Sequence, residues 1–125
     1  MNDENSTHLY VPIPIEEREI CLGPEGSVVH VARVIRMIQG RWKLPILFRL
    51  YADPSMRTLQ LKRDLKGVTQ KVLTQSLREL ATDRLIERID FNEMPRRVEY
   101  QMSETGRQLL PVLIATRRFS VGHPA

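Results

Sequence analysis

One stretch decides the interpretation of this chain: Gly67-Val68-Thr69-Gln70-Lys71-Val72-Leu73-Thr74-Gln75-Ser76-Leu77-Arg78-Glu79-Leu80. Thr69 can cap a helix here, because its hydroxyl accepts hydrogen bonds from the free backbone N–H groups of the first turn. Leu73, Leu77 and Leu80 recur at the helical period and predict one buried face. The opposite face carries Lys71, Thr74, Gln75, Arg78 and Thr82. The stretch therefore predicts an amphipathic helix with a polar and partly basic outer face.

The outer face of this helix has the kinds of side chain that hydrogen-bond to DNA. Glutamine pairs well with adenine, and arginine or lysine pairs with guanine. An ordinary surface helix also has a polar outer face, so the helix alone leaves both interpretations open. The neighbouring sequence has to decide between them.

A short helix and a tight turn precede this stretch. Thr58 is predicted to cap the short helix. Leu59, Leu61 and Leu65 are expected to supply its apolar contacts. Lys66-Gly67-Val68 then forms a three-residue link that contains glycine. Two helices joined by such a turn, the second with a polar outer face, indicate a helix-turn-helix.

A β-hairpin is predicted directly after the stretch. Its strands are residues 85–91 and 97–102, the second with alternating apolar and polar side chains. A hairpin that follows a recognition helix is a wing, here expected at residues 91–98. Arg96 and Arg97 beside its tip suit contact with phosphate or the minor groove, although a solvated turn also explains them.

Two further helices are predicted before the short helix. The first spans about residues 28–39, with Ser27 as its cap and Gly40 as its stop. Its apolar stripe is wider than a small core needs, which fits either deep burial or contact with a second subunit. The second starts near Trp42, because Pro45 is tolerated only in the first turn of a helix.

A last helix is predicted after Ser103, which caps it. Pro111 lies inside this helix and is expected to kink or divide it. Its broad apolar surface has no further domain to cover it and indicates a dimer seam. The predicted fold is mainly α (α+β), a winged helix-turn-helix with additional N- and C-terminal helices that form a dimer interface.

Three regions are expected along the chain. Residues 1–26 mix charges with prolines and glycines and are interpreted as an N-terminal extension, partly extended or disordered. Residues 27–120 form the winged helix-turn-helix domain, and residues 121–125 form a tail. A length of 125 residues suits one domain with a real core.

The charge of the chain is unevenly distributed. Overall there are 19 basic and 15 acidic residues, a net charge of +4. Residues 1–40 hold three basic and six acidic residues, whereas residues 41–125 carry a net charge of +7. The positive field therefore belongs to the part with the amphipathic helix, and it predicts salt-sensitive binding to a polyanion.

The sequence does not fit an enzyme. Its three histidines, His8, His30 and His123, are scattered and form no metal-ligand spacing with the single cysteine, Cys21. The sequence contains neither a phosphate-binding glycine-rich loop nor a nucleophile elbow. No catalytic residue, metal or cofactor is therefore expected.

The sequence favours a soluble protein of the cytoplasm. A single cysteine permits no internal disulfide and suits a reducing compartment. No apolar run is long enough to cross a bilayer, and the polar N-terminus does not resemble a signal peptide. No membrane partner is expected.

Several pieces of this sequence occur together in one known family. They are Ile38-Gln39-Gly40-Arg41-Trp42-Lys43 with Ile46-Leu47, the opening stretch, Leu85-Ile86-Glu87-Arg88, Pro95-Arg96-Arg97-Val98-Glu99-Tyr100 and Ser103-Glu104-Thr105-Gly106-Arg107-Gln108-Leu109-Leu110-Pro111-Val112-Leu113. With these pieces in this order and spacing, over about residues 28–119, the chain resembles the HxlR-type winged helix-turn-helix transcriptional regulators of bacteria and archaea.

The resemblance implies a homodimeric transcriptional regulator that binds a double-stranded DNA operator in a sequence-specific way. A recognition helix at about residues 69–82 would enter the major groove, and the wing would contact the backbone or the minor groove. The implied DNA contacts are Arg41, Lys43, Thr69, Gln70, Lys71, Thr74, Gln75, Arg78, Arg96 and Arg97. The first and last helices are implied to build the dimer through Val31, Val34, Ile35, Ile38, Leu110, Leu113 and Ile114.

Two packing positions depart from the family. Thr58 stands where an aromatic residue is usual, and Met56 or Leu59 are the candidates to fill that volume. Pro45 stands where a helix-compatible residue is usual. Both departures concern local packing rather than the fold.

A third departure concerns cysteine. Members of the family that sense oxidants carry a cysteine at the position of Val28, whereas Cys21 lies seven residues earlier. Its acidic neighbours would raise the pKa of the thiol, so an inert or weakly packed Cys21 is the default and thiol sensing is the alternative.

The alternative function is a winged helix that binds only other proteins. Such a module is expected to expose an acidic or apolar recognition face, whereas the outer face here is polar and basic. The sequence leaves open the operator, the target genes, any small-molecule effector, and whether transcription is repressed or activated.

Overall fold

The structure is a computed structural model that describes residues 22–24 and 26–123. In chain order its elements are α1 (Ser27–Ile38), α2 (Lys43–Ala52), β1 (Ser55–Met56), α3 (Thr58–Asp64), α4 (Gln70–Thr82), β2 (Ile86–Asp90), β3 (Val98–Met102) and α5 (Glu104–Gly122). The chain divides into two units with the boundary between Arg36 and Met37, inside α1. Most of the expected N-terminal extension, including Cys21, lies outside the described residues.

The second unit has one hydrophobic core, formed by α2, α3, α4 and the strands. Its fully buried side chains are Ile46, Leu47, Leu50, Met56, Leu61, Leu73, Leu77, Leu80 and Ile86. Each such side chain contributes about 1.5–3 kcal/mol by leaving water. The three leucines of α4 all face this core, as the helical period predicts, so the polar side chains between them point outward.

Local sequence explains where the helices begin. The Thr69 hydroxyl accepts a hydrogen bond from the Val72 N–H at 3.2 Å, and the Ser103 hydroxyl accepts one from the Gly106 N–H at 2.9 Å. Pro45 lies in the first turn of α2, where a missing N–H removes no helical bond. The predicted caps Thr69 and Ser103 and the predicted start of α2 are confirmed. Ser27, by contrast, is the first helical residue of α1 and not its cap, because the Gly26 carbonyl already accepts the first helical hydrogen bond, from the His30 N–H at 3.2 Å.

The turn between α3 and α4 depends on glycine. Gly67 has a φ of +93°, in the left-handed region that side chains with a Cβ rarely adopt. Leu65 and Val68 on either side are buried, so they hold both ends of the turn against the core. This geometry confirms the predicted helix-turn-helix of α3 and α4.

The sheet has three antiparallel strands in the order β1-β3-β2. The predicted hairpin is present, with Ile86 opposite Met102 and Asp90 opposite Val98. The two-residue strand β1 was not predicted; it pairs Met56 with Tyr100 on the other edge of β3. The wing therefore extends from a sheet whose other edge strand, β1, belongs to the segment between α2 and α3.

The predictions for the start of α3 were wrong in two respects. Arg57 occupies the cap position of α3, without a side-chain cap hydrogen bond, and Thr58 is the first helical residue. Leu59 is exposed, whereas Met56 is fully buried. The reason is β1: pairing with β3 turns Met56 into the core, where it fills the volume at the start of α3.

Pro111 does not divide the last helix. α5 is one helix of 19 residues with Pro111 inside it, and it continues through Gly122, two residues into the expected tail. Pro111 has no N–H to donate to the carbonyl of Arg107, yet the helix continues on both sides of it. Within the described residues, no helix has both the length and the apolarity needed to cross a membrane.

Candidate nucleic-acid interface

The outer face of α4 brings together most of the predicted DNA contacts. Gln70, Lys71, Gln75 and Arg78 are exposed, and Thr74 between them is half-buried. They project from a helix whose other face is fixed by three buried leucines. The helix therefore offers a rigid row of hydrogen-bonding and basic groups to a partner.

Two of these side chains are ordered along the helix by hydrogen bonds. The Gln70 Nε2 donates to the Thr74 hydroxyl at 3.2 Å, and the Gln75 Nε2 donates to Glu79 Oε2 at 2.6 Å. The exposed Lys71 and Arg78 form no ion pair with the other described residues. Their charges are therefore available to an anionic partner.

Lys43 differs from the other predicted contacts because its charge is already paired. Its Nζ lies 2.9 Å from Glu79 Oε1, and its side chain is only 12% exposed. The hydrogen bond from Gln75 and the contacts with Lys43 hold the pKa of Glu79 below its ordinary value. A phosphate contact by Lys43 would require this ion pair to open.

Arg41, by contrast, is exposed, with its guanidinium 5.0 Å from the centre of the Trp42 ring.

The two arginines of the wing have different surroundings. Arg96 is paired with Asp90 at 3.1 Å, but its side chain is 68% exposed. Arg97 lies over the Phe91 ring at 3.9 Å, and its Nε donates to Glu99 at 2.8 Å. Arg97 is therefore held against the wing, whereas Arg96 extends outward from it.

Hydrogen bonds keep the carboxylates of the wing ionised. The Ser55 hydroxyl and then Arg97 lower the pKa of Glu99, and the Asn92 backbone N–H lowers the pKa of Asp90. Ser55 belongs to β1, so Glu99 connects the unpredicted strand to the arginine of the wing. The wing is thus stabilised by a charged network at its base.

The stability of this network is expected to depend on pH. A carboxyl group whose pKa is lowered in the folded protein stabilises the fold above its ordinary pKa, about 4.5, and this contribution is lost as the pH falls through the lowered value. Wild-type protein should therefore be more stable than Glu99→Gln at pH 7, and the difference should shrink below about pH 4.5. Urea unfolding of both proteins at pH 7 and pH 3.5 measures this. An equal difference at both pH values would contradict the prediction.

The predicted dimer contacts fall into three groups by exposure. Val31, Ile35 and Ile114 are exposed, and Val34, Ile38 and Leu110 are half-buried. Leu113 is only 6% exposed. Its side chain is buried within its own chain and leaves little surface for a second subunit. The set of dimer contacts stays a prediction.

Three basic residues near the helix-turn-helix were not among the predicted DNA contacts. Lys62 and Arg63 lie in the last turn of α3, Lys66 lies in the turn that follows, and all three are exposed. The sequence does show this basic cluster, as three cations within five residues. In helix-turn-helix proteins bound to DNA the first helix crosses the DNA backbone, so these three residues are candidates for phosphate contacts.

Comparison with known proteins gives consistent results. The model of the HxlR-like helix-turn-helix family matches residues 37–122, which include α2 to α5 and the whole sheet. The uncharacterized HTH-type transcriptional regulator YtcD of Bacillus subtilis (strain 168) is 45% identical over 85 residues, which cover 68% of this chain and 67% of that protein.

Solved structures share the architecture. The crystal structure of the transcriptional regulator ytcD has a TM-score of 0.69 and 42% identity, covering 74% of this chain and 94% of that one. A transcriptional regulator of the MarR family from Enterococcus faecalis V583 has a TM-score of 0.74 and 33% identity, covering 80% of this chain and 90% of that one. The fold of the second unit is accordingly a winged helix.

Proposed function

The chain belongs to the HxlR-like helix-turn-helix family and is a DNA-binding transcriptional regulator, and from this premise we propose that it binds its operator as a homodimer in the cytoplasm. Each subunit inserts α4 into a major groove. The observation that carries this proposal is the exposed polar and basic face of α4, opposite its buried leucines. Family and relatives are regulators of transcription, not enzymes.

The contacts with DNA divide into base and backbone contacts. α4 has 13 residues and is therefore about 20 Å long, which suits a major groove. Its face contributes Gln70, Lys71, Thr74, Gln75 and Arg78, and Thr69 adds its hydroxyl at the N-terminus. Glutamine and arginine pair with adenine and guanine edges, so they set the sequence preference.

Backbone contacts come from the elements around α4. Arg41 and Arg96 are exposed, and the cations of α3 and its turn extend the positive surface. Lys43 and Arg97 support this surface from within the protein, because each is already paired with a glutamate. Phosphate contacts fix the position of the protein and make its binding sensitive to salt.

The dimer is proposed to form through the exposed apolar residues of α1 and α5. Two-fold symmetry then places the operator half-sites about 34–36 Å apart, or at a multiple of that distance. A module that binds only proteins is the less favoured function, since Glu79 is the only acidic residue on α4 and it is paired with Lys43.

Loss of Lys71 and Arg78 is expected to weaken DNA binding. Each alanine substitution removes one free cation from α4, so it should lower affinity for a non-specific duplex and reduce the slope of log affinity against log salt by about 1. Fluorescence anisotropy with a labelled duplex between 50 and 200 mM NaCl, about the range over which such contacts respond, measures both quantities.

Arg33→Ala is the matched control, because Arg33 is an exposed cation of α1, outside α4 and the wing and on the opposite side of α1 from Val28, Val31 and Ile35. It should change the salt slope less than either substitution in α4. Unchanged binding in both Lys71→Ala and Arg78→Ala would overturn the placement of α4 on DNA and favour the protein-binding module.

A further inference from the structure

Glu79 occupies a special position on the face of α4. Its Oε2 accepts a hydrogen bond from the Gln75 Nε2 at 2.6 Å, one turn earlier in the helix. Its Oε1 is 2.9 Å from the Nζ of Lys43, which belongs to α2. The Glu79 carboxylate therefore links Lys43 of α2 to Gln75 on the proposed DNA-binding face of α4.

This arrangement determines which way the amide of Gln75 points. An ionised carboxylate can only accept hydrogen bonds, and the contacts with Gln75 and Lys43 keep the pKa of Glu79 low. Gln75 must therefore turn its NH2 group toward Glu79, because the opposite orientation would bring two acceptor oxygens together. The Oε1 of Gln75 is left to face away from Glu79.

Gln70 provides a useful contrast on the same helix. Its Nε2 donates to the Thr74 hydroxyl at 3.2 Å. A hydroxyl both donates and accepts, so it pairs with either end of an amide and does not determine the orientation of Gln70. Of the two glutamines of α4, only Gln75 has an orientation imposed by a charged partner.

We propose that Glu79 is a positioning residue for base specificity, which holds Gln75 so that its carbonyl oxygen is presented to the major groove. The inference rests on the proposed function, in which α4 lies in that groove. A presented acceptor matches base edges that carry a donor, the N6 amino group of adenine or the N4 amino group of cytosine. Guanine shows two acceptors there and thymine one, so both are disfavoured opposite Gln75. Lys43 in turn holds the Glu79 carboxylate in place through their ion pair.

The test replaces Glu79 by glutamine, which keeps the shape but removes the charge. Its amide can donate or accept, so Gln75 becomes free to turn over. A preferred duplex is first selected from a random-sequence pool with the wild-type protein. Affinities for that duplex and its complete series of single base-pair substitutions are then measured by fluorescence anisotropy for each variant.

The expected result is a change at one position of each half-site. Wild-type protein should prefer adenine or cytosine there by about tenfold or more over guanine or thymine. Glu79→Gln should reduce this preference to about threefold or less and leave the other positions unchanged. Gln75→Ala should lose the preference at the same position, and adding Glu79→Gln to it should cause no further loss.

Lys43→Met is the control for the ion pair, since it leaves the hydrogen bond between Glu79 and Gln75 in place. It should keep most of the preference. The Glu79 and Gln75 variants should unfold at the wild-type temperature, because the Glu79 side chain is 45% exposed and Gln75 is exposed. A preference retained in Glu79→Gln but lost in Gln75→Ala would overturn the inference and leave the proposed function intact. Equal changes at every position in Glu79→Gln would also overturn it. No position-specific change in Gln75→Ala or Arg78→Ala would count against the proposed function itself.

Discussion

Replacement of Gly106 by alanine is expected to lower the free energy of unfolding by about 3 kcal/mol. A Cβ at this position would overlap the carbonyl oxygen of Leu85 and the Sδ of Met102. The backbone of Gly106 cannot move away easily, because hydrogen bonds hold it on both sides. Its N–H donates to the Ser103 hydroxyl at 2.9 Å, and its carbonyl accepts from the Tyr51 hydroxyl at 2.6 Å. The first turn of α5 therefore tolerates only glycine at this close approach to the chain before β2.

Gly122→Ala is the matched control, made in the same helix. A Cβ at Gly122 has no neighbour within 4 Å. Alanine favours helix over glycine, so this change should be neutral or stabilising by up to about 1 kcal/mol. Urea unfolding of the two variants and the wild type measures the difference. Similar stabilities of Gly106→Ala and Gly122→Ala would show that the backbone around Gly106 adapts.

The features that could be predicted from the sequence are the ones with local causes. Thr69 and Ser103 cap the helices that follow them because the hydroxyl and the N–H it accepts from are three residues apart. The buried leucines of α4 follow from the helical period alone. The second strand of the hairpin was predicted from its alternation of apolar and polar side chains, and it pairs with β2 from Ile86 opposite Met102 to Asp90 opposite Val98.

The features that the sequence analysis missed depend on contacts between distant parts of the chain. β1 has two residues, too few to show alternation, and it exists because β3 offers it a free edge. That pairing also turns Met56 inward, so that Met56 and not Leu59 is buried at the start of α3. No local pattern near residue 56 contains this information.

The same reason applies to the side chains of the candidate interface. All ten predicted contacts were chosen by residue type and position, which cannot distinguish a free cation from a paired one. Lys43 is 36 positions before Glu79 in the sequence, and only packing of α2 beside α4 brings them to 2.9 Å. Likewise Arg96 and Arg97 are neighbours in sequence, yet only Arg97 lies over Phe91.

The proposed dimer depends on exposed apolar side chains of α1. Val28, Val31 and Ile35 recur at helical spacing and are 54%, 58% and 52% exposed. An exposed apolar stripe of this kind marks an interaction surface. The proposed homodimer would cover it with a second copy of the chain. A charge placed on this stripe stays in water in the monomer but would be buried, unpaired, in the dimer.

Val31→Asp is therefore expected to dissociate the dimer and to lower affinity for a two-site operator by about 100-fold or more, because the second half-site no longer binds intramolecularly. Sedimentation velocity measures the first effect, and fluorescence anisotropy with one-site and two-site duplexes measures the second. Affinity for a single half-site should remain, since α4 is unchanged.

His30→Asp is the control, with the same change in charge at an exposed position on the other side of α1. A Val31→Asp protein that stays dimeric with full two-site affinity would show that the dimer is built elsewhere, and monomers of both variants would show that any added charge on α1 is disruptive.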